Sequence, residues 1–405
     1  MREVIIIGAG ASGLVTAIVS ARRGKKVLIL EKNNKVGKKL LATGNGKCNI
    51  TNQRPTLERF YSSNPDFIKE VFKGYSYQSV KQFFRSIGLE LIEAKEGKVF
   101  PMSLQASCVV ELLVAECEQL GVEIRCEAKV EQIRRVGGIY EVKYNEKVEQ
   151  TEALVIATGH LSTPQLGGVD AGVSFAKTLG HSTIKPFPSL VQLTSPMKRL
   201  ERMAGVKVES RVTLKTGRGR VIQRQGDVLF TSYGISGLAI LDISRFVMVE
   251  LFKKKTIMLT IDLVPKMSQE QLFALMRKSL AKKSSKRLTI WLQGFINKKL
   301  ILPILESLEL QNQTVGYLYL NREKLDSIVY KIKNFEFEVN GSRGYRGAEV
   351  ATGGVDTKEV NPKTMESKRH KGLYFTGEVL DVDGDRGGFN LHFAWVCGLR
   401  AGEAI

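Results

Sequence analysis

The chain has 405 residues, 43% hydrophobic and 25% charged, with 61 Lys and Arg against 41 Asp and Glu for a net charge of +20. Such a length outgrows a single core, so two or three domains are expected, and the composition is that of an ordinary soluble globular protein. The odd set of five cysteines (Cys48, Cys108, Cys117, Cys126, Cys397) has no CxxC pair; it excludes a disulfide or zinc framework, gives no metal site, and fits a cytoplasmic location.

Residues 3–7 (EVIII) form an apolar run suited to a buried parallel strand. A helix is expected from about Ser12 to Arg23, closed by Gly24, and KVLILE (26–31) reads as the next strand, so the chain opens on a βαβ unit. Between strand and helix stand Gly8, Ala9, Gly10, Ala11, Ser12 and Gly13, a GxGxxG motif. Gly8 makes the tight turn, Gly10 lets the backbone approach a pyrophosphate, and Gly13 lets the helix close on the strand. The anion then rests on free N–H groups at the positive end of the helix. Glu31 ends the second strand, where a carboxylate binds ribose hydroxyls, and an acid there argues against a 2′-phosphate. The apolar N-terminus imitates a signal peptide, but glycines at this spacing split it. No other segment reaches the roughly 20 apolar residues of a membrane span.

The stretch TGNGKCNITN (43–52) follows, with Cys48 among glycines and asparagines. Residues 104–120 read as an amphipathic helix holding Cys108 and Cys117, with Cys126 in the following strand; all three read as buried small hydrophobes. ALVIATG (153–159) is another buried strand ending in glycine. From about Val191 to Leu263 the strands are short and alternating, as in an antiparallel barrel or sandwich. Ser268 to Gln271 form a capping box ahead of a Leu272, Leu275, Met276, Leu280 stripe, so residues 266–315 read as a helical insert. FEFEVNG (335–341) returns to strand, and GLYFTGEVLD (372–381) to the buried strands of the first domain. The glycine pair Gly387-Gly388 with Phe389 and Asn390 opens a last helix. Its free N–H groups can face the pyrimidine edge of a flavin, where negative charge gathers on reduction.

Charge is uneven. Residues 251–300 hold twelve Lys or Arg and two acids, Asp262 and Glu270. A solvated helical face accounts for this run; a docking surface for an acidic partner, nucleic acid included, is the sharper alternative.

The blocks IIIGAGASGL, KKLLATGNGKCNITN, GKVFPMS, VIATG, LFTSYGISGLAIL, ATGGVDTKEVNPKTMESK and GLYFTGEVLDVDGDRGGFNLHFAW resemble, in the same order, the three-domain flavoproteins that include aminoacetone oxidase and the BaiN-type 3-dehydro-bile-acid reductases. The resemblance implies an α/β fold: a split Rossmann-like FAD domain of the two-dinucleotide-binding type, with an inserted β-barrel that carries a small helical domain. The expected borders are 1–190 and 346–405 for the FAD domain, 191–263 and 316–345 for the barrel, and 264–315 for the helical part. Fingerprint and resemblance together give a cofactor shell of Gly8, Gly10, Ala11, Ser12, Gly13, Glu31, Lys32, Lys39, Leu40, Thr43, Gly44, Lys47, Cys48, Asn49, Val130, Ala157, Thr158, Gly159, Gly377, Glu378, Gly387, Gly388, Phe389 and Asn390. Within it Glu378 is expected to hold the ribityl chain of noncovalent FAD.

The chain departs from the family pattern at His160, where a second glycine is usual, at GGVDAG (167–172), and at Ser232 and Leu238. The cofactor blocks are intact and the substrate-side blocks have drifted. Candidates for catalysis are Tyr233, His392 and Cys48, although a small flavin-shell residue suits Cys48 better than a redox thiol, and structural roles suit His160 and His392. The expected activity is hydride transfer through flavin, with NADH or NADPH as a transient donor reducing a conjugated carbonyl-type small molecule. An oxygen-dependent amine oxidase and an RNA-associated flavoprotein are the alternatives.

Overall fold

The computed structural model describes residues 2–405. β1 (Arg2–Ile7) buries Val4 to Ile7 completely, as a strand covered on both faces requires. α1 (Ala11–Arg22) begins after an extended Gly10 and ends two residues before Gly24, whose φ of +85° lets the chain turn back. β2 (Val27–Leu30) lies parallel to β1. α2 (Ala106–Gln119) leads to β3 (Glu123–Arg125), which extends the sheet beyond β2. β4 (Val130–Val136) and β5 (Ile139–Tyr144) form a hairpin, and β6 (Lys147–Ile156) pairs antiparallel with β5, then parallel with β1. Cys126, expected to be buried, is exposed because it lies just past the end of β3; Cys108 is half-buried and Cys117 fully buried.

The chain divides into two compact units, Met1–Pro188 with Glu349–Ile405, and Ser189–Ala348. In the second, β7 (Leu193–Thr194), β8 (Lys207–Lys215), β9 (Val221–Thr231) and β10 (Gly234–Ser236) precede α3 (Leu238–Leu251). β11 (Ile257–Asp262) is followed by α4 (Gln269–Lys278), α5 (Lys298–Glu306), α6 (Val315–Leu320) and α7 (Arg322–Lys333). β12 (Phe335–Val339) and β13 (Gly341–Ser342) close the unit. The strands follow the order β12-β11-β8-β9-β10-β7-β13, and among the described residues no pairing joins the two ends. α3 packs across this curled sheet through Ala239, Ile240, Ile243 and Val247, all fully buried.

One border differs from expectation. The helical part extends to Lys333 rather than 315, because Leu325, Ile328, Val329 and Ile332 form a buried stripe of helical period in α7. Its helices also share one hydrophobic core with the strands, where Leu300, Ile304 and Leu325 join Phe230, Leu259 and Phe337.

Back in the first unit, β14 (Leu373–Phe375) adds parallel to β6, giving the sheet β3-β2-β1-β6-β5-β4 with β14 on β6. α8 (Phe389–Ala404) packs against α1. Gly398 and Gly402, one helical turn apart, allow this: a Cβ on Gly398 would lie 2.8 Å from the Ser12 carbonyl oxygen, and one on Gly402 2.5 Å from the Val19 Cβ. The 12-residue first helix and the 16-residue last helix of the unit are thereby locked together.

Candidate functional site: a dinucleotide cradle in the first unit

Four parallel strands end in register. Ile7 lies opposite Leu30 and Ile156, and Ile156 opposite Phe375. Gly8, Glu31, Ala157 and Thr376 therefore leave the sheet along one carboxyl edge, where open α/β sheets bind ligands. The three glycines of the fingerprint do different work. Gly8 has φ +108° and its missing Cβ would lie 2.5 Å from the Ala157 carbonyl oxygen; a Cβ on Gly13 would run into the Gly8 carbonyl. A Cβ on Gly10 would meet nothing within 4 Å. Two glycines are thus needed for packing, and the third leaves open space at the N-terminus of α1. That is the cradle a pyrophosphate fills, so the residues present fit FAD.

Glu31 is buried at the end of β2. Its Oε2 accepts the Ala9 N–H at 2.8 Å, and its Oε1 accepts the Asn33 N–H at 2.8 Å and Nδ2 at 2.7 Å. Oε2 retains acceptor capacity for a ribose hydroxyl while it fixes the glycine turn. Ala128 donates its N–H to the Glu31 carbonyl at 2.9 Å, which brings Val130 at the start of β4 to this end of the site. Lys32 stands beside Glu31, and burial pushes its ammonium below the usual lysine range.

The glycine-rich stretch 43–52 is strained. Gly44, Asn45, Gly46 and Cys48 have φ of 58°, 54°, 80° and 55°, a cluster of left-handed residues that persists only where surroundings enforce it. Here they do: Trp395 Nε1 donates to the Ile50 carbonyl at 2.8 Å, and Asn52 Nδ2 to the Gly387 carbonyl at 3.1 Å. A Cβ on Gly388 would run into the Thr51 carbonyl. The loop is therefore welded to the start of α8, joining the two blocks most specific to the family resemblance. Thr43, Gly44 and Lys47 are left at the outer side, Lys47 exposed, while Leu40 is buried beneath. Asn49 uses its Oδ1 to accept the Val99 N–H at 3.3 Å, so its amide anchors the loop.

Cys48 is fully buried, and burial pushes its thiol up to about 11, although a hydrogen bond with Thr43 opposes this. It is a neutral thiol at pH 7, which argues against the redox role. Cys48→Ser is expected to retain FAD and most turnover. A thiol-labelling reagent added to the native protein should modify exposed Cys126 and spare Cys48. Full flavin occupancy with lost turnover in the serine variant would restore a chemical role to the sulfur.

Glu378 is held among protein partners. Its carboxylate accepts from Lys39 Nζ at 2.7 Å, Ser162 Oγ at 2.8 Å and the Ala351 N–H at 3.0 Å. Burial pushes this carboxyl up, but Lys39 and the two hydrogen-bond donors outweigh it and hold it below the usual range. These bonds brace Lys39 and the turn after β6, and, as at Glu31, the carboxylate keeps acceptor capacity for a ligand hydroxyl. Thr158 and Gly159 form that turn, and Gly377 begins the next one, 2.7 Å separating its missing Cβ from Ser12 Oγ. Asn390 is likewise engaged: its Oδ1 accepts the Gly384 N–H at 2.7 Å and its Nδ2 donates back to Gly384 at 2.8 Å. Phe389 is buried under the Arg59 guanidinium, 4.4 Å from its ring. The backbone N–H groups of the first turn of α8, rather than these side chains, remain for an anionic ring edge.

The proton-transfer candidates fare differently. His392 is sealed in the core, its Nδ1 2.8 Å from Thr51 Oγ1 and its ring 5.2 Å from that of Phe72. Burial pushes it down to about 3, so it is a neutral structural histidine and not an acid for substrate. His160 and His181 are also pushed down by burial. Tyr233 belongs to the second unit, with the Arg343 guanidinium 4.8 Å above its ring.

A histidine whose folded pKa lies below its unfolded value of 6.5 binds protons mainly when unfolded. Its contribution is present above pH 6.5 and is lost as pH falls toward 3. Between pH 6.5 and about 5 the His392 contribution alone amounts to about 2 kcal/mol. Denaturant melts across this window should show falling stability, with a shallower fall in His392→Gln. An equal slope in both proteins would place the effect elsewhere.

Residues 2–404 match the family described as the HI0933-like protein Rossmann domain. The chain is 33% identical over 406 residues to the 3-dehydro-bile acid delta(4,6)-reductase of Clostridium scindens, covering 100% of this chain and 99% of that protein. It is 35% identical over 399 residues to a ribosomal RNA dihydrouridine synthase of Haemophilus influenzae, covering 97% and 96%. Among solved structures, the open conformation of a flavocytochrome c3 fumarate reductase is similar in fold at a TM-score of 0.52 and 16% identity, covering 100% of this chain and 78% of that one. Among the described residues no helix is long and apolar enough to cross a membrane, and no cluster of His, Cys, Asp and Glu could hold a metal ion.

Proposed function

The chain belongs to the HI0933-like Rossmann family and is an FAD-dependent oxidoreductase, and on that premise we propose that it reduces a carbon–carbon double bond conjugated to a carbonyl, in the uracil ring of an RNA. One observation carries the reading. Two relatives of near-equal identity along the whole chain, named for unrelated substrates, share this single chemical step. A 3-oxo steroid acid with double bonds at positions 4 and 6 is an extended enone. Uracil has its C5=C6 bond conjugated to the C4 carbonyl. Each takes hydride at a carbon remote from the carbonyl and a proton at a carbon that becomes nucleophilic as charge passes to oxygen.

Reduced FAD supplies the hydride. The protein's part is to bind and orient. Gly10 and the N-terminus of α1 receive the pyrophosphate, Glu31 takes ribose hydroxyls, and the first-turn N–H groups of α8 favour the negative charge of a reduced ring. Only one nucleotide fingerprint is present, so NADH or NADPH is a donor that visits and leaves. RNA is favoured over a small enone by the net charge of +20, which raises the local concentration of polyanions. Five free cysteines fit a reducing cytoplasm.

The test is anaerobic. NADH or NADPH should bleach the flavin absorbance, and ribosomal RNA added without air should restore it. Colour returning with a 3-oxo-4,6-diene steroid acid but not with RNA would move the substrate to a small enone. Colour returning only with oxygen would make the protein an oxidase.

A further inference from the structure

We propose that the loop Lys282–Arg287, with the end of α4 and the start of α5, is the surface of the second unit that grips the phosphate backbone of RNA; this rests on the RNA reading given above. Residues 271–305 contain eight Lys or Arg and no Asp or Glu. An average composition would place roughly four acids in such a stretch. A solvated face normally mixes the two signs; this one does not.

The flanking acids are already occupied. Glu270 accepts from Ser268 Oγ at 2.7 Å, and Glu306 faces Arg199 and Arg202 at 3.5 and 3.3 Å. Lys299 donates to the Ala204 carbonyl at 2.6 Å. The other cations, Arg277, Lys278, Lys282, Lys283, Lys286, Arg287 and Lys298, are exposed, and among the described residues no ion pair engages them.

The loop that carries four of them is held in place. Ser284 and Lys286 carbonyls accept the Gly316 and Val315 N–H groups, each at 2.9 Å, and Gln313 accepts the Leu288 N–H at 3.0 Å. Gly316 has no side chain because one would lie 2.9 Å from the Ser284 carbonyl oxygen and 3.0 Å from that of Lys282. Fixed cations lose less freedom on meeting phosphates than cations on a floppy tail. Tyr319 lies one turn along α6 on the same face as Gly316 and is 49% exposed, so an aromatic ring capable of stacking on an unpaired base borders the loop. Fixed, unpaired cations beside an exposed ring are the combination that non-sequence-specific RNA contact requires.

The probe is a fluorescein-labelled, uridine-containing RNA hairpin read by anisotropy at several salt concentrations, with the holoprotein. Lys282→Glu, Lys283→Glu and Lys286→Glu together should weaken binding on the order of 100-fold and reduce the slope of log affinity against log salt by about 2 to 3. The flavin spectrum and melting temperature report that the fold is intact. If the triple reversal fails to fold, the three Gln substitutions should reduce the slope by about 2. Tight wild-type binding that the variants leave unchanged would overturn this surface and leave the RNA reading standing. Wild-type protein that ignores the hairpin at low salt would overturn both. Charge-dependent binding to phosphatidylserine vesicles in place of RNA would also overturn the proposal and assign the patch to a membrane surface.

Discussion

Gly13→Ala and Gly10→Ala should both cost the protein its flavin, but for different reasons that a melting curve separates. The Gly13 Cβ would run into the Gly8 carbonyl, backbone held between β1 and Ala157. Overpacking of this kind costs about 1–3 kcal/mol and occasionally more, so Gly13→Ala should melt earlier than wild type even without FAD, and lose flavin because the turn that receives it is displaced. The Gly10 Cβ meets nothing within 4 Å in the protein. Gly10→Ala should therefore melt as the FAD-free wild type does, and still lose the cofactor, because the space it fills is the one assigned to the pyrophosphate. Normal flavin content in Gly10→Ala would show that the anion is held elsewhere.

Glu31→Ala is the second large effect expected. The carboxylate both takes the ribose and fixes the turn through the Ala9 N–H at 2.8 Å. Hydrogen bonds to a charged group contribute about 1.5–3 kcal/mol, which is roughly ten- to 150-fold in FAD affinity. Titration of the FAD-free protein, followed by quenching of flavin fluorescence, measures it. Glu31→Gln retains one acceptor oxygen and should fall between the alanine variant and wild type. Unchanged affinity in Glu31→Ala would remove this residue from the site.

What the sequence made legible follows from the range over which the forces act. The β1 turn, the closing Gly24, and the Ser268–Gln271 capping box depend on neighbours a few residues away, and all were readable. The cofactor edge was readable too, since a glycine fingerprint states its own geometry. What depended on partners hundreds of positions away was not. Glu378 reads as an acid after a strand, and nothing local shows that Lys39, 339 positions earlier, pairs with it. His392 reads as one turn into a flavin-facing helix, yet its side chain turns into the core toward Thr51 and Phe72. Cys126 reads as a buried strand residue because nothing local marks where β3 stops. The α7 stripe was present in the sequence as Leu325, Ile328, Val329 and Ile332, beyond the expected border at 315.

The Lys39–Glu378 pair also explains why the cradle can be built from loops. Three segments distant in sequence, around residues 39, 162 and 351, converge on one carboxylate. Removing that charge would release all three at once, so the cofactor edge is stabilised as a unit rather than loop by loop.

A single turnover without oxygen decides whether the uracil ring of RNA accepts the hydride. Flavin reduced by one equivalent of NADH or NADPH is mixed with ribosomal RNA, the RNA is digested, and its nucleosides are weighed by mass spectrometry. Dihydrouridine is expected in an amount equal to the flavin reoxidised. Flavin that stays reduced with RNA, then reoxidises in air with hydrogen peroxide as its only product, would contradict that reaction.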